Sequence, residues 1–172
     1  PGGRRFFWVN RRDGREEFVK ADEQSYGILR LSPDGRRVAV ASGGDLWVVG
    51  LDGSPKYKLT TGPARHSMPV WSPDGSEIFF TTADRIINRV PADGSTAPRE
   101  IYRQREPDRL HPLSITPDRK YLLMLWDNLP KQQGLRLLDL GATRRLTPLI
   151  DQSGSEGAGR ISPDGKWIVY QA

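Results

Sequence analysis

The chain has no cysteine, only 2 histidines and 2 methionines in 172 residues, and no long apolar run. Without cysteine, disulfides and thiolate chemistry are excluded, and the compartment is left open. The longest apolar run is the six residues Tyr121 to Trp126. A spanning helix needs about 20, so no membrane insertion of this segment is expected. No stretch shows a 3.6-residue apolar period, so almost no helix is expected. Two histidines without a carboxylate or cysteine at ligand spacing make no metal site, and no cofactor is expected. Gly-rich phosphate loops and a His-Arg-Asp catalytic loop are absent. Gly154-Ser155-Glu156-Gly157 is only loosely like Gly-x-Ser-x-Gly, and it sits in a loop without the strand-turn-helix elbow that a serine nucleophile needs. No catalytic residue is assigned, and the chain is expected not to be an enzyme. It shows no signal peptide and starts at Pro1 rather than Met, so it is expected to be a piece of a longer protein.

What the chain does have is turns, with 18 Gly and 14 Pro. Ser32-Pro33-Asp34-Gly35 returns as Ser72-Pro73-Asp74-Gly75, as Thr116-Pro117-Asp118-Arg119 and as Ser162-Pro163-Asp164-Gly165, at intervals of 40, 44 and 46 residues. Proline presets φ at the second turn position, and glycine takes the left-handed conformation at the fourth. The Ser or Thr hydroxyl can accept a turn amide, and each Asp is expected to bond its own turn rather than a metal. Arg119 stands where glycine is expected; a non-Gly residue there costs about 1 kcal/mol, so Arg119→Gly is expected to stabilise. Each turn leads into an apolar strand: Val38 to Ala41, Ile78 to Thr81, Tyr121 to Trp126, and Trp167 to Tyr170. A turn plus strand repeating every forty-odd residues is the pattern of propeller blades.

The expected fold is therefore all-β, a β-propeller of four-stranded antiparallel blades. After an expected linker at residues 1–5, residues 1–20 supply an outer half-blade. Residues 21–62, 63–104 and 105–150 supply full blades, and 151–172 an inner half-blade. Asn128 to Gly134 reads as a longer loop. The four blades' worth of strands are either closed by sharing one blade between the two ends or form an arc of a larger ring. Most of the tryptophans read as packing between blades.

The repeated Ser-Pro-Asp-Gly, with following strands such as Asp45-Leu46-Trp47-Val48, resembles the TolB-like propeller family, also called PD40 or WD40-like. More narrowly, Phe7 to Glu17 and Leu29 to Val40 resemble propellers carried C-terminally by bacterial serine/threonine protein kinases. The resemblance covers nearly the whole chain and implies a typically six-bladed propeller, often across a membrane from the kinase, so an extracytoplasmic location.

The net charge is +5. Its arginines flank turns and strand ends without a long basic run or interleaved aromatics, so nucleic acid is not an expected partner. Tyr26 and His66 each precede their turn by six residues, and His111 precedes its turn by five. These residues are expected at one channel mouth with Arg30, Arg65 and Arg160 near them, making a basic funnel for an anionic ligand or a protein partner. The leading expectation is a non-catalytic binding module, a sensor or protein-interaction domain. The alternative is the substrate-gating propeller of a prolyl-oligopeptidase-type peptidase. A lyase or hydrolase working in the funnel itself is the third reading.

Overall fold

A computed structural model describes residues 4–24, 26–105, 107–128, 132–150 and 157–171. Within them are sixteen strands and no helix. The first sheet is β1 (Arg4–Val9) and β2 (Glu16–Gln24). The second is β3 (Tyr26–Leu31), β4 (Arg37–Ser42), β5 (Asp45–Gly50) and β6 (Tyr57–Lys58). The third is β7 (His66–Trp71), β8 (Glu77–Thr82), β9 (Ile86–Pro91) and β10 (Arg99–Arg103). The fourth is β11 (Arg109–Ile115), β12 (Tyr121–Asn128), β13 (Gln132–Asp139) and β14 (Leu146–Ile150). The last is β15 (Gly157–Ile161) and β16 (Ile168–Gln171). Each sheet is an antiparallel meander in chain order. The expected linker at residues 1–5 is shortened, because β1 already begins at Arg4; residues 1–3 lie outside the described set. The expected loop at Asn128 to Gly134 is likewise taken up by the ends of β12 and β13, apart from residues 129–131, which are also outside it.

The sheets stack because each middle strand is buried on both faces. Along a strand, successive side chains point to opposite sides. In β4, Val38 and Val40 pack with Tyr26 and Phe6, while Ala39 packs with Leu46, Trp71 and Phe80 of the opposite interface. In β8, Ile78 and Phe80 face the preceding sheet and Phe79 the following one. In β12, Leu122 and Met124 face the third sheet, and Leu123 packs with Leu113, Leu135 and Ile168 on the other side. Hence these strands read as continuous apolar runs rather than as alternating ones.

The two-stranded sheets at the ends do not join each other, so the molecule is an open arc and not a ring closed by a shared blade. The outer faces of these end sheets leave apolar side chains in solvent. Trp167 is 74% exposed and Val169 70%, and Phe7, Val9 and Phe18 are also exposed. The expected packing role of the tryptophans holds for buried Trp71 and partly buried Trp47 and Trp126, but not for Trp8 or Trp167.

All four turns have one geometry. In the first, Ser32 Oγ accepts the Arg37 amide at 2.9 Å and donates to Asp34 Oδ1 at 2.5 Å, and Asp34 accepts the Arg36 amide at 3.0 Å. Ser72, Thr116 and Ser162 repeat this with Asp74, Asp118 and Asp164. The fourth position is left-handed throughout, with φ of 71° at Gly35, 70° at Gly75, 75° at Gly165 and 61° at Arg119.

Candidate functional site

The inner strands β3, β7, β11 and β15 lie side by side along the arc, each packed on the next. Each carries a register irregularity before its turn: between Tyr26 and Leu29, Ser67 and Val70, Pro112 and Ser114, and Gly157 and Arg160. In each case one extra residue sits on the inner strand, which is a β-bulge, and a bulge re-aims the side chains that follow it. In β7 and β15 the bulge is marked by left-handed residues at matching positions, Met68 and Ala158.

The residue two places before each turn follows the bulge, directly in β7, β11 and β15 and one residue later in β3. These residues are Arg30, Val70, Ser114 and Arg160, and all four line one cavity of about 350 Å³. Pro33, Pro73, Pro117 and Pro163 of the turns rim it. The cavity is therefore the central channel at its turn-side mouth. Among the described residues its wall is apolar apart from two guanidinium groups and a few hydroxyls, with no carboxylate. Arg160 Nη1 donates to the carbonyls of Leu113 at 2.9 Å and Gly159 at 2.8 Å, which fixes its stem against β11. Arg30 Nη1 donates to the Leu29 carbonyl, while Nε is buried with no hydrogen-bond partner among the described residues. Trp71 Nε1 donates to the Arg30 carbonyl at 2.9 Å and ties this corner to the next sheet. Burial, and after it the charge of Arg160, lowers the basicity of Arg30.

Tyr26, Arg65 and His66 lie at the other end of the inner strands, on a second cavity of about 570 Å³ with Gly44 and Gly62. Tyr26 is not a rim residue: it is 3% exposed and stacks on Phe6 at 4.6 Å between ring centres. His66 is buried as well. Its Nδ1 lies 3.2 Å from Thr60 Oγ1 and 3.4 Å from Asp45 Oδ1, and its ring meets Phe80 edge-on. Thr60 Oγ1 also accepts the Leu46 amide, so this polar group pins one sheet to the next.

His111 joins neither cavity. It is buried with Nε2 3.7 Å from Asp127 Oδ2, and Nδ1 finds no hydrogen-bond partner among the described residues. Burial lowers its pKa below the ordinary histidine value, and Asp84 and Asp127 offset part of that. Its five-residue interval explains the separation. The residue matching His66 is Leu110: the Leu110 amide bonds the Asp84 carbonyl just as the His66 amide bonds Gly44. A one-residue slip puts a side chain on the opposite face of a strand. Of the six expected site residues, the structure thus brings together Arg30 with Arg160, and Tyr26 with Arg65 and His66.

Four repeated turns, stacked four-stranded meanders and a channel lined by the innermost strands complete the description. The fold is that of the TolB-type β-propellers. The propeller superposes on a structure described as a TolB of Agrobacterium tumefaciens with a TM-score of 0.78 at 23% identity, covering 94% of this chain and 59% of that one. It also superposes on a prolyl endopeptidase with a TM-score of 0.64 at 16% identity, covering 94% of this chain and 27% of that one. At such identities the likeness speaks to the fold. No family model matches the chain. In sequence, the propeller is 33% identical over 148 residues to YuxL of Bacillus subtilis (strain 168), named as an uncharacterized peptidase. The match covers 83% of this chain and 21% of that protein, so the propeller spans about a fifth of its relative's length. This corrects the expectation that the chain is not an enzyme, because the relative is named as a peptidase.

Among the described residues no group of three His, Cys, Asp or Glu side chains is placed to hold a metal ion. None of their helices is long and apolar enough to cross a membrane. The Gly154 to Gly157 stretch lies outside the described residues except for Gly157. The carboxylates of Asp34, Asp118 and Asp164 accept hydrogen bonds from their own turns, which hold them below the usual carboxylate range; those of Asp74 bring it to about 2.

Proposed function

We propose that this propeller is the substrate-gating part of a peptidase of the prolyl-oligopeptidase type, the hydrolase being supplied by the rest of a longer polypeptide. The 33% identity to a protein named as a peptidase carries this reading. The propeller likeness to a prolyl endopeptidase supports it. So does the channel, whose apolar and proline-rimmed wall suits an extended peptide better than a folded protein. In such an arrangement the propeller performs no bond-breaking. Its narrow axis admits short chains and holds folded proteins away from the nucleophile, which is selection by exclusion. Of the six channel residues named from sequence, five are carried into this proposal, Arg30 and Arg160 at the turn-side mouth and Tyr26, Arg65 and His66 at the other, while His111 is left out. The extracytoplasmic sensor of a kinase, which the same turns suggest, draws no support from these relatives.

The test is on the full-length polypeptide. It should be labelled by a fluorophosphonate serine-hydrolase probe and should cleave short peptides while sparing folded proteins. Absence of labelling, or cleavage of folded proteins as fast as peptides, would overturn the gate.

A further inference from the structure

Two arginines line one cavity, at equivalent places on non-adjacent strands, with no carboxylate on its wall among the described residues. Arg30 and Arg160 stand on β3 and β15, at the two ends of the row of four inner strands, with Val70 and Ser114 between them. Each follows a bulge that aims it at the axis. A guanidinium has five N–H donors and no acceptor. Arg160 uses one nitrogen on two carbonyls, and Arg30 uses one on Leu29, so donors remain on both. Among the described residues nothing anionic lines the cavity to answer these two charges; Arg30 is half-buried, Arg160 is exposed, and the two like charges repel. An entering carboxylate would relieve that, because charge-assisted bonds to guanidinium are short and strong and take two oxygens at once. The rest of the wall, with Trp71 and the turn prolines, is apolar and can cover a short peptide body.

We propose that Arg30 and Arg160 clamp the C-terminal carboxylate of a short peptide in the turn-side mouth of the channel. The choice of a peptide as the bearer of the carboxylate rests on the peptidase reading; the anion site rests on the two guanidinium groups alone. With its C-terminus held there, a peptide lies along the axis in one direction, N-terminus leading toward the mouth of Tyr26 and His66. A free C-terminus then becomes a condition of binding, which an internal segment of a protein does not meet.

The experiment titrates the 172-residue chain with N-acetyl-Ala-Pro-Ala, with its C-terminal amide, and with inorganic phosphate, by calorimetry at low and high salt. The acid is expected to bind at least about ten-fold more tightly than the amide, the range for losing one charged hydrogen bond, and to weaken with salt. Arg30→Gln and Arg160→Gln should each cost the acid about ten-fold or more and leave the amide unchanged. Arg99→Gln, on β10 at the edge of its sheet away from the inner strand, should change neither. Because Arg160 also braces β11, Arg160→Lys is measured beside it; this keeps the charge without the fork and should bind the acid between the parent and Arg160→Gln, and thermal melts report the fold of each variant. Equal binding of acid and amide, or normal acid binding by a folded Arg30→Gln chain, overturns the clamp. Phosphate bound as tightly as the acid overturns the peptide and leaves a bare oxyanion site. Since no hydrolysis is read, failure of the peptidase reading shows as absent probe labelling of the full-length protein with acid binding intact. Failure of the clamp shows as the reverse.

Discussion

Arg119 is the one turn residue that pays for its place, and substitution there separates two opposing terms. Its φ of 61° lies in the region where glycine sits in the other three turns. Left-handed backbone costs a non-Gly residue about 1 kcal/mol, which alone would make Arg119→Gly stabilising. The side chain, however, reaches across to the preceding sheet: Nη1 lies 2.5 Å from Asp74 Oδ2 and Nη2 2.6 Å from Glu77 Oε2. Arg119 is 40% and Asp74 47% exposed, so solvent screens that pair, while Glu77 is 20% exposed and better shielded. Exposed pairs contribute about 0.2–1 kcal/mol. The two terms nearly cancel, and Arg119→Gly should lie within about 0.5 kcal/mol of the parent chain, against the gain expected from the turn alone. Arg119→Ala keeps the strain and loses the pairs, so it should be destabilised by about 0.5–1 kcal/mol. The informative quantity is the gap between the Gly and Ala variants, about 1 kcal/mol, or about 2–4 °C in melting temperature for a domain of this size. Urea denaturation at constant slope measures it, and 1 M salt should lower the parent toward the Ala variant. If Gly and Ala variants unfold at the same urea concentration, the backbone at residue 119 is not strained and the reasoning fails.

Two further predictions follow from buried positions. His111 is driven below its ordinary pKa chiefly by burial, so the unfolded chain takes up a proton that the folded one resists, and stability should fall as pH drops below about 6.5. His111→Gln should flatten the melting-temperature profile between pH 7.5 and 5, with Asp84, Asp127 and Arg109 left in place around it; the turn carboxylates, held low, should lose their contribution only below about pH 4. A profile identical to the parent would mean that another group titrates. Gly159 is buried, and a Cβ there would sit 2.9 Å from Leu123 Cδ2 and 3.3 Å from Leu113 Cδ1, so Gly159→Ala should destabilise by about 1–2 kcal/mol through overpacking. A melt unchanged by that methyl would show that β15 can shift away from β11 at no cost.

The fold was legible because its determinants are local. Ser-Pro-Asp-Gly encodes a turn whose bonds close within six residues, and the apolar runs of Val38 to Val40 and Ile78 to Phe80 encode strands covered on both faces. The site was legible only in part. Arg30 and Arg160 were visible as candidates, and their common place two residues before a turn was in the sequence to be read. The bulges were not, since nothing in Gly27-Ile28 or Met68-Pro69 announces an extra residue. The difference between His66 and His111 was legible, since their intervals of six and five residues differ by the one residue that sends His111 to the other face beside Asp127. The ion pairs of Arg119 were hidden for a different reason: they join residues more than forty positions apart and exist only once two sheets are stacked. The expectation of no enzyme failed because it rested on missing motifs, whereas the likeness to a protein named as a peptidase is spread over 148 residues at 33% identity.

The second turn has one more property. Arg37 of the sheet before it donates to the Gly75 carbonyl at 3.3 Å and lies over the Trp71 ring, and Arg119 of the sheet after it holds Asp74 and Glu77. Three successive sheets are therefore stitched together at the turn-side mouth, as pages are sewn along a spine. At the opposite mouth the neighbouring loops run through Gly43, Gly44 and Gly62. The second and third sheets are tied there as well, by the His66 amide on the Gly44 carbonyl at 2.8 Å and the His66 ring beside Thr60, so that pair of sheets is fastened at both ends of the channel.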